Sequence, residues 1–185
     1  MESVRTVWIG ALMVAFVALA SSVMATGAQE PVLTCNGLTP TIVGAGVIQG
    51  TSGHDVIVGS AGDDVIDGGA GHDTICGQGG NDVITGGSGN DEMWGEVQGQ
   101  KDALIGTAGV DQIYGDSGND LLVDFSSADQ ILEGGSGSDR IIGAGTLIGN
   151  SGNDNITLGG AGGTIDAGSG SDACSTAGVS CESLP

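Results

Sequence analysis

From Gly50 to Thr85 the chain spells four near-copies of nine residues, GTSGHDVIV, GSAGDDVID, GGAGHDTIC and GQGGNDVIT. In each, six small or polar residues precede a three-residue extended segment with Ile at the eighth place. Side chains alternate across a strand, so the eighth place faces one way and its two neighbours the other. A fixed short period of this kind marks a solenoid rather than a globular core. One strand and one loop make half a turn, so two copies close a turn of eighteen residues and copies n and n+2 stack. The eighth-place residues continue as Ile48, Ile57, Ile66, Ile75, Ile84, Met93, Leu104, Ile113, Leu122, Ile131, Ile141, Leu147, Ile156, Ile165 and Cys174. Two facing ladders of this kind predict a thin core between two parallel sheets, an all-β fold. Glycine at the first and fourth loop places supplies left-handed dihedrals for a tight turn.

The sixth place adds chemistry. Stacking sets Asp55 above Asp73 and Asp91 on one edge, and Asp64 above Asp82 on the other. Adjacent turns lie about 4.8 Å apart, so these carboxylates repel unless a cation lies between them. Ca²⁺ takes 6 to 8 hard oxygen ligands at about 2.3 to 2.6 Å in a tolerant geometry, which carboxylates and loop carbonyls of two stacked loops can supply. Mg²⁺, octahedral and reluctant to lose water, fits less well. Ten loops carry both the fourth-place Gly and the sixth-place Asp, which makes Asp55, Asp64, Asp73, Asp82, Asp91, Asp111, Asp120, Asp139, Asp154 and Asp172 the candidate ligands. The pattern resembles G-G-x-G-x-D-x-U-x, the nonapeptide of the RTX or haemolysin-type calcium-binding family, over about residues 50 to 175. The resemblance implies a right-handed parallel β-roll and Ca²⁺-dependent folding outside the cell. Many members of that family carry an uncleaved C-terminal export signal, whereas here the signal-like segment is N-terminal.

Irregular units interrupt the series. GAGVIQ and GAGTLI keep the strand but shorten the loop and lack its Asp, which reads as tight half-turns that bind no metal. Gly95 to Ile105 holds eleven residues, with Asp102 at the usual distance before Leu104. DFSSADQIL keeps Asp129 and Ile131 but has no glycine, and Glu133 follows it as an extra residue. In LGGAGGTID, Gly163 replaces the Asp. The best cation positions therefore lie between Gly50 and Val123, with weaker ones near Asp139, Asp154 and Asp172.

Composition narrows the partners. Arg5 followed by an apolar run from Val7 to Ala20 and small residues up to Ala25 predicts a secretory signal over residues 1–25, with cleavage as late as 28. The apolar run is shorter than the 20 or so residues of a membrane span, so no stable span is expected after its removal, and the mature chain is extracellular or surface-associated. Residues 26–49 then form an N-terminal cap, 50–175 the roll and 176–185 a C-terminal cap. A net charge of −20 makes nucleic acid and anionic membranes poor partners. Cys35, Cys76, Cys174 and Cys181 suit disulfides in an oxidising compartment. Three connectivities are possible; proximity suggests Cys174 with Cys181, leaving Cys35 with Cys76 to staple the other end. Outward apolar residues, Trp94, Tyr114 and Leu132 on one sheet and Ile105, Val123 and Ile142 on the other, could form a contact face for a cell-surface polymer or a second copy. No catalytic set is found: His54 and His72 stack on one edge but make a poor zinc site, and no HExxH, GxSxG or phosphate-binding Gly-Lys loop occurs. The expected function is secreted calcium binding, with several Ca²⁺ driving folding; the alternative is an adhesive or surface-associated solenoid in which Ca²⁺ is only structural.

Overall fold

The computed structural model describes residues 33–95, 100–126, 130–159 and 163–176. The expected signal segment, Asp129, Cys181 and nearly all of the C-terminal cap lie outside them. The described chain is all-β and forms a solenoid of about seven turns. Sixteen short strands alternate between two parallel sheets of eight. The first sheet stacks β1 (Ile42–Val43), β3 (Val56–Ser60), β5 (Thr74–Gln78), β7 (Glu92–Trp94), β9 (Gln112–Tyr114), β11 (Ile131–Ser136), β13 (Thr146–Ser151) and β15 (Thr164–Asp166) in that order. The second stacks β2 (Val47–Gln49), β4 (Val65–Asp67), β6 (Val83–Thr85), β8 (Ala103–Ile105), β10 (Leu121–Asp124), β12 (Arg140–Gly143), β14 (Asn155–Leu158) and β16 (Ala173–Thr176).

Register follows the aliphatic ladder. Ile57 pairs with Ile75, Ile75 with Met93 and Met93 with Ile113 in one sheet. Ile66 with Ile84, Ile84 with Leu104 and Leu104 with Leu122 run in the other. These residues are fully buried or nearly so and form one continuous core, with Ile165 and Cys174 only partly buried at its far end. Both short units, at Val47 and Thr146, hold their strands in the ladder, as their preserved Ile48 and Leu147 require.

The ladder departs from expectation at one place. Ile131 aligns with Gln112 and is half-buried, while Leu132 aligns with Ile113 and is fully buried. The extra residue is therefore not Glu133, which takes the ninth place of its unit, but falls before Gln130. Because strand faces alternate, this one-residue shift turns Leu132 inward, removing it from the outward stripe, and turns Glu133 outward, aligned with Tyr114. Glu133 accepts a hydrogen bond from Asn150 Nδ2 at 2.7 Å there, a partner suited to a charged side chain.

The outward face of the first sheet is partly covered by the chain itself. Cys35 and Cys76 form a disulfide, and Cys35, Val58 and Cys76 are fully buried in a small second cluster against which Val56 and Trp94 pack. Trp94 in turn stacks on Tyr114, with ring centroids 5.4 Å apart. The turn from Cys35 to Leu38 is thus a clasp on the sheet's outer surface, tied by a hydrogen bond from Asn36 Nδ2 to Glu92 Oε2. Cys174 is also disulfide-bonded. Among the described residues, no helix is long and apolar enough to cross a membrane.

Candidate metal centres

The loops stack as closely as the strands. Ala70 N–H donates to Thr51 O, Ser88 N–H to Gly69 O and Ala108 N–H to Gly87 O, so the third loop places form a ladder along the edge. Left-handed dihedrals fall at the second and fourth places, as at Gly87 (φ 106°) and Gly89 (φ 131°), rather than at the first and fourth. Asp116 and Asn150 take the second place with φ of 66° and 71°, which short polar side chains tolerate. First-place glycines answer a different demand, which is space. A Cβ on Gly59 would lie 2.4 Å from Gly77 O and 2.7 Å from Asp64 Oδ2, and one on Gly115 would lie 2.6 Å from Gly134 O and 2.8 Å from Asp120 Oδ2. A carboxylate oxygen and the next turn's carbonyl oxygen thus converge beside Gly59, Gly68, Gly77, Gly95, Gly115 and Gly149.

The sixth-place aspartates form two columns. On one edge Asp55 N–H donates to Asp73 Oδ1, Asp73 N–H to Asp91 Oδ1 and Asp91 N–H to Asp111 Oδ1, at 2.8 to 2.9 Å. On the other, Gly46 N–H donates to Asp64, and the chain of bonds continues through Asp82, Asp102, Asp120, Asp139 and Asp154 to Asp172. All ten sequence-predicted aspartates lie in these columns, and all but Asp172 are buried. Each Oδ1 but that of Asp55, which accepts the Thr41 hydroxyl at 3.3 Å, is thereby used by a backbone amide of the preceding turn.

The second oxygens differ by position. At the first aspartates they are satisfied: Asp55 Oδ2 takes the Thr51 N–H at 2.7 Å and its hydroxyl at 2.8 Å, and Asp64 Oδ2 takes the Ser60 N–H at 2.6 Å. From Asp73 and Asp82 onward, every column aspartate has a buried Oδ2 without a hydrogen-bond partner. An ionised oxygen stranded in this way is costly, and the carboxyls respond. Burial is the main force raising Asp73, Asp91, Asp102 and Asp154 above the usual range, opposed by the backbone amide bond. It pushes Asp82 and Asp139 up to about 6 and Asp111 and Asp120 up to about 7, with neighbouring carboxylates adding to the effect. At Asp55 burial also acts upward, but the Thr51 amide and the Thr51 and Thr41 hydroxyls outweigh it and hold the group below its ordinary value.

These stranded oxygens and the adjacent carbonyls are an all-oxygen, anionic donor set, the kind Ca²⁺ accepts. Among the described residues no three His, Cys, Asp or Glu side chains converge on one point, so a cation here would need backbone carbonyls for the balance of its shell. That excludes a soft, thiolate- or imidazole-rich site of the zinc type in this region. His54 and His72 do stack, with centroids 4.9 Å apart, yet each uses Nδ1 to accept the backbone N–H one turn on, from His72 at 3.0 Å and Asn90 at 2.7 Å. Asp63, Asn81, Asn90, Asn119 and Asn153 accept the same kind of bond from Asn81, Lys101, Val110, Ser138 and Ser171. The fifth place is therefore a second acceptor ladder, which explains its run of His, Asp and Asn.

Asp102 belongs to the column although sequence reasoning left it out of the candidate ligands. Its loop is two residues longer than the repeat, but the spacing to Leu104 is what carries the register, and that spacing is intact. Asp124, at a first place where most loops have glycine, is fully buried, as is Gln130 at a sixth place. A protein-family model described as RTX calcium-binding nonapeptide repeat matches the chain in four copies, at residues 43–75, 68–98, 99–123 and 126–145. No curated protein is similar enough to the chain to count as a match.

Proposed function

Since the chain belongs to the RTX calcium-binding nonapeptide-repeat family, we propose that it is a secreted protein whose turns are completed by several Ca²⁺ ions held between stacked loops. Asp55, Asp64, Asp73, Asp82, Asp91, Asp111, Asp120, Asp139, Asp154 and Asp172, joined by Asp102, supply the carboxylates, and first-place carbonyls such as Gly77 O and Gly134 O supply neutral oxygens. One observation carries the reading: the buried second oxygen of nearly every column aspartate has no partner, beside a glycine whose missing Cβ leaves the space open. When bound, Ca²⁺ supplies positive charge to these oxygens and holds them ionised. The residues do the rest: Oδ1 stays on the backbone amide and fixes the carboxylate, while the glycines keep side chains away from Oδ2. Export is supported by the N-terminal apolar run and by the disulfides, which persist in oxidising compartments.

Metal-coupled folding follows, because an unfolded chain offers no assembled site and binding energy becomes folding energy. Circular dichroism of the protein during a Ca²⁺ titration, reversed with EDTA, tests it. Little β signal without metal and a cooperative gain with it are expected. A spectrum that ignores both additions would refute metal-driven folding.

A further inference from the structure

The repeat fails at one loop, and the failure is compensated. From Asp124 to Gln130 the chain places Gln at the sixth position and Asp at the first, the reverse of the neighbouring loops' Asp and Gly. Asp111 is consequently the last carboxylate of its column. Beside Gly59, Gly68, Gly95 and Gly115, the oxygens nearest a hypothetical Cβ are the next turn's first-place carbonyl and the loop's own Asp Oδ2. Beside Gly106 the carbonyl is replaced: Asp124 Oδ2 lies 2.4 Å from that point and Asp111 Oδ2 lies 2.7 Å from it.

Both of these oxygens are buried, on residues that are fully buried, and apart from each other neither faces a hydrogen-bond partner. Asp124 also divides its oxygens as the column aspartates do, with Oδ1 held by the Ser126 N–H at 2.8 Å and Oδ2 left over. Gln130 Nε2 donates to Asp124 O, which fixes the backbone from which this carboxylate projects. Burial above all raises Asp111, and Asp124 beside it adds to the effect.

We infer that Asp111 and Asp124 form a separate divalent-cation site, in which a first-place carboxylate replaces the sixth-place carboxylate the repeat has lost. The inference rests on Ca²⁺ binding at the regular loops but concerns a loop that departs from their motif. The site carries two side-chain carboxylates on facing turns, where the regular cradles pair one carboxylate with a backbone carbonyl. Gln130 acts on it as a positioning residue.

Native mass spectrometry of the whole chain in Ca²⁺, with circular dichroism to confirm the fold, counts the ions. Asp124→Asn, which keeps the shape and removes the charge, is expected to retain one Ca²⁺ fewer than the unaltered protein. Asp124→Gly, which restores the glycine of the other loops, should lose the same ion, and adding Gln130→Asp to it should bring the count back. Equal counts for the unaltered protein, Asp124→Asn and Asp124→Gly would overturn this site while leaving the regular ones standing. An unaltered protein that retains no Ca²⁺ would overturn both.

Discussion

At the scale of single residues, the molecule concentrates its electrostatic strain on one atom per loop. Oδ1 of a column aspartate is tied to an amide; Oδ2 is enclosed and left over, and burial raises the proton affinity of the group. A carboxyl whose pKa is higher folded than unfolded binds more protons in the folded state between the two values, so stability falls as pH rises through that interval. With Asp82 and Asp139 raised to about 6 and Asp111 and Asp120 to about 7 from 3.8, the interval runs from about pH 4 to pH 7. In EDTA, the β signal should therefore grow as pH is lowered from 7 towards 5, and Ca²⁺ should bind more weakly over the same range. Circular dichroism of the metal-free protein at fixed ionic strength measures the first effect; a β signal that falls on acidification would contradict the assignment. The sixth-place aspartates were legible from spacing alone. What spacing could not show was that each carboxylate is split between an amide and an open position, since that depends on where a neighbouring turn places its N–H.

At the scale of the strand, the fold rests on a two-residue alternation repeated over short segments, so small shifts in loop length are absorbed within loops and leave the ladder intact. Gly95 to Ile105 shows this with two additional residues, and the loop from Asp124 to Gln130 with one. The second case misleads a reading by sequence because Ile131 and Leu132 are both aliphatic and either could fill the inward place. Hydrophobicity is silent between them; the acid that follows decides, since Glu133 can stay solvated only if Leu132 turns in. Leu132→Ala should accordingly cost about 2 to 5 kcal/mol, the range for emptying a buried leucine site, whereas Ile131→Ala should cost about 1 kcal/mol or less. Urea unfolding of both variants in saturating Ca²⁺ checks the register, and equal losses would place the two residues on equivalent faces. The first-place glycines teach a related lesson. Their identity was plain in the repeat, but the reason for it is contact between turns, which no local dihedral preference reveals.

At the scale of the whole molecule, each turn touches only the turns beside it, and a chain of net charge −20 has no globular centre to hold it together. The disulfide from Cys35 to Cys76 spans 41 residues and ties the leading segment across the first turns. On the loop-entropy account such a closure is worth about 4 kcal/mol. Cys35→Ser with Cys76→Ser should lower stability by about that amount and make Val58 and Trp94 accessible, which tryptophan fluorescence quenching can follow; unchanged quenching would mean the clasp stays closed without its bond. The two acceptor ladders on the loop edges run opposite ways: a fifth-place amide is answered by a side chain of the turn before it, whereas a sixth-place amide is answered by a carboxylate about eighteen residues later. During synthesis, then, no coil is finished until its successor has been made, and the newest one is always the least complete. The polymer is built like a zip that closes behind its own slider, so shortening it from the rear should expose a fresh set of unanswered amides wherever the cut falls.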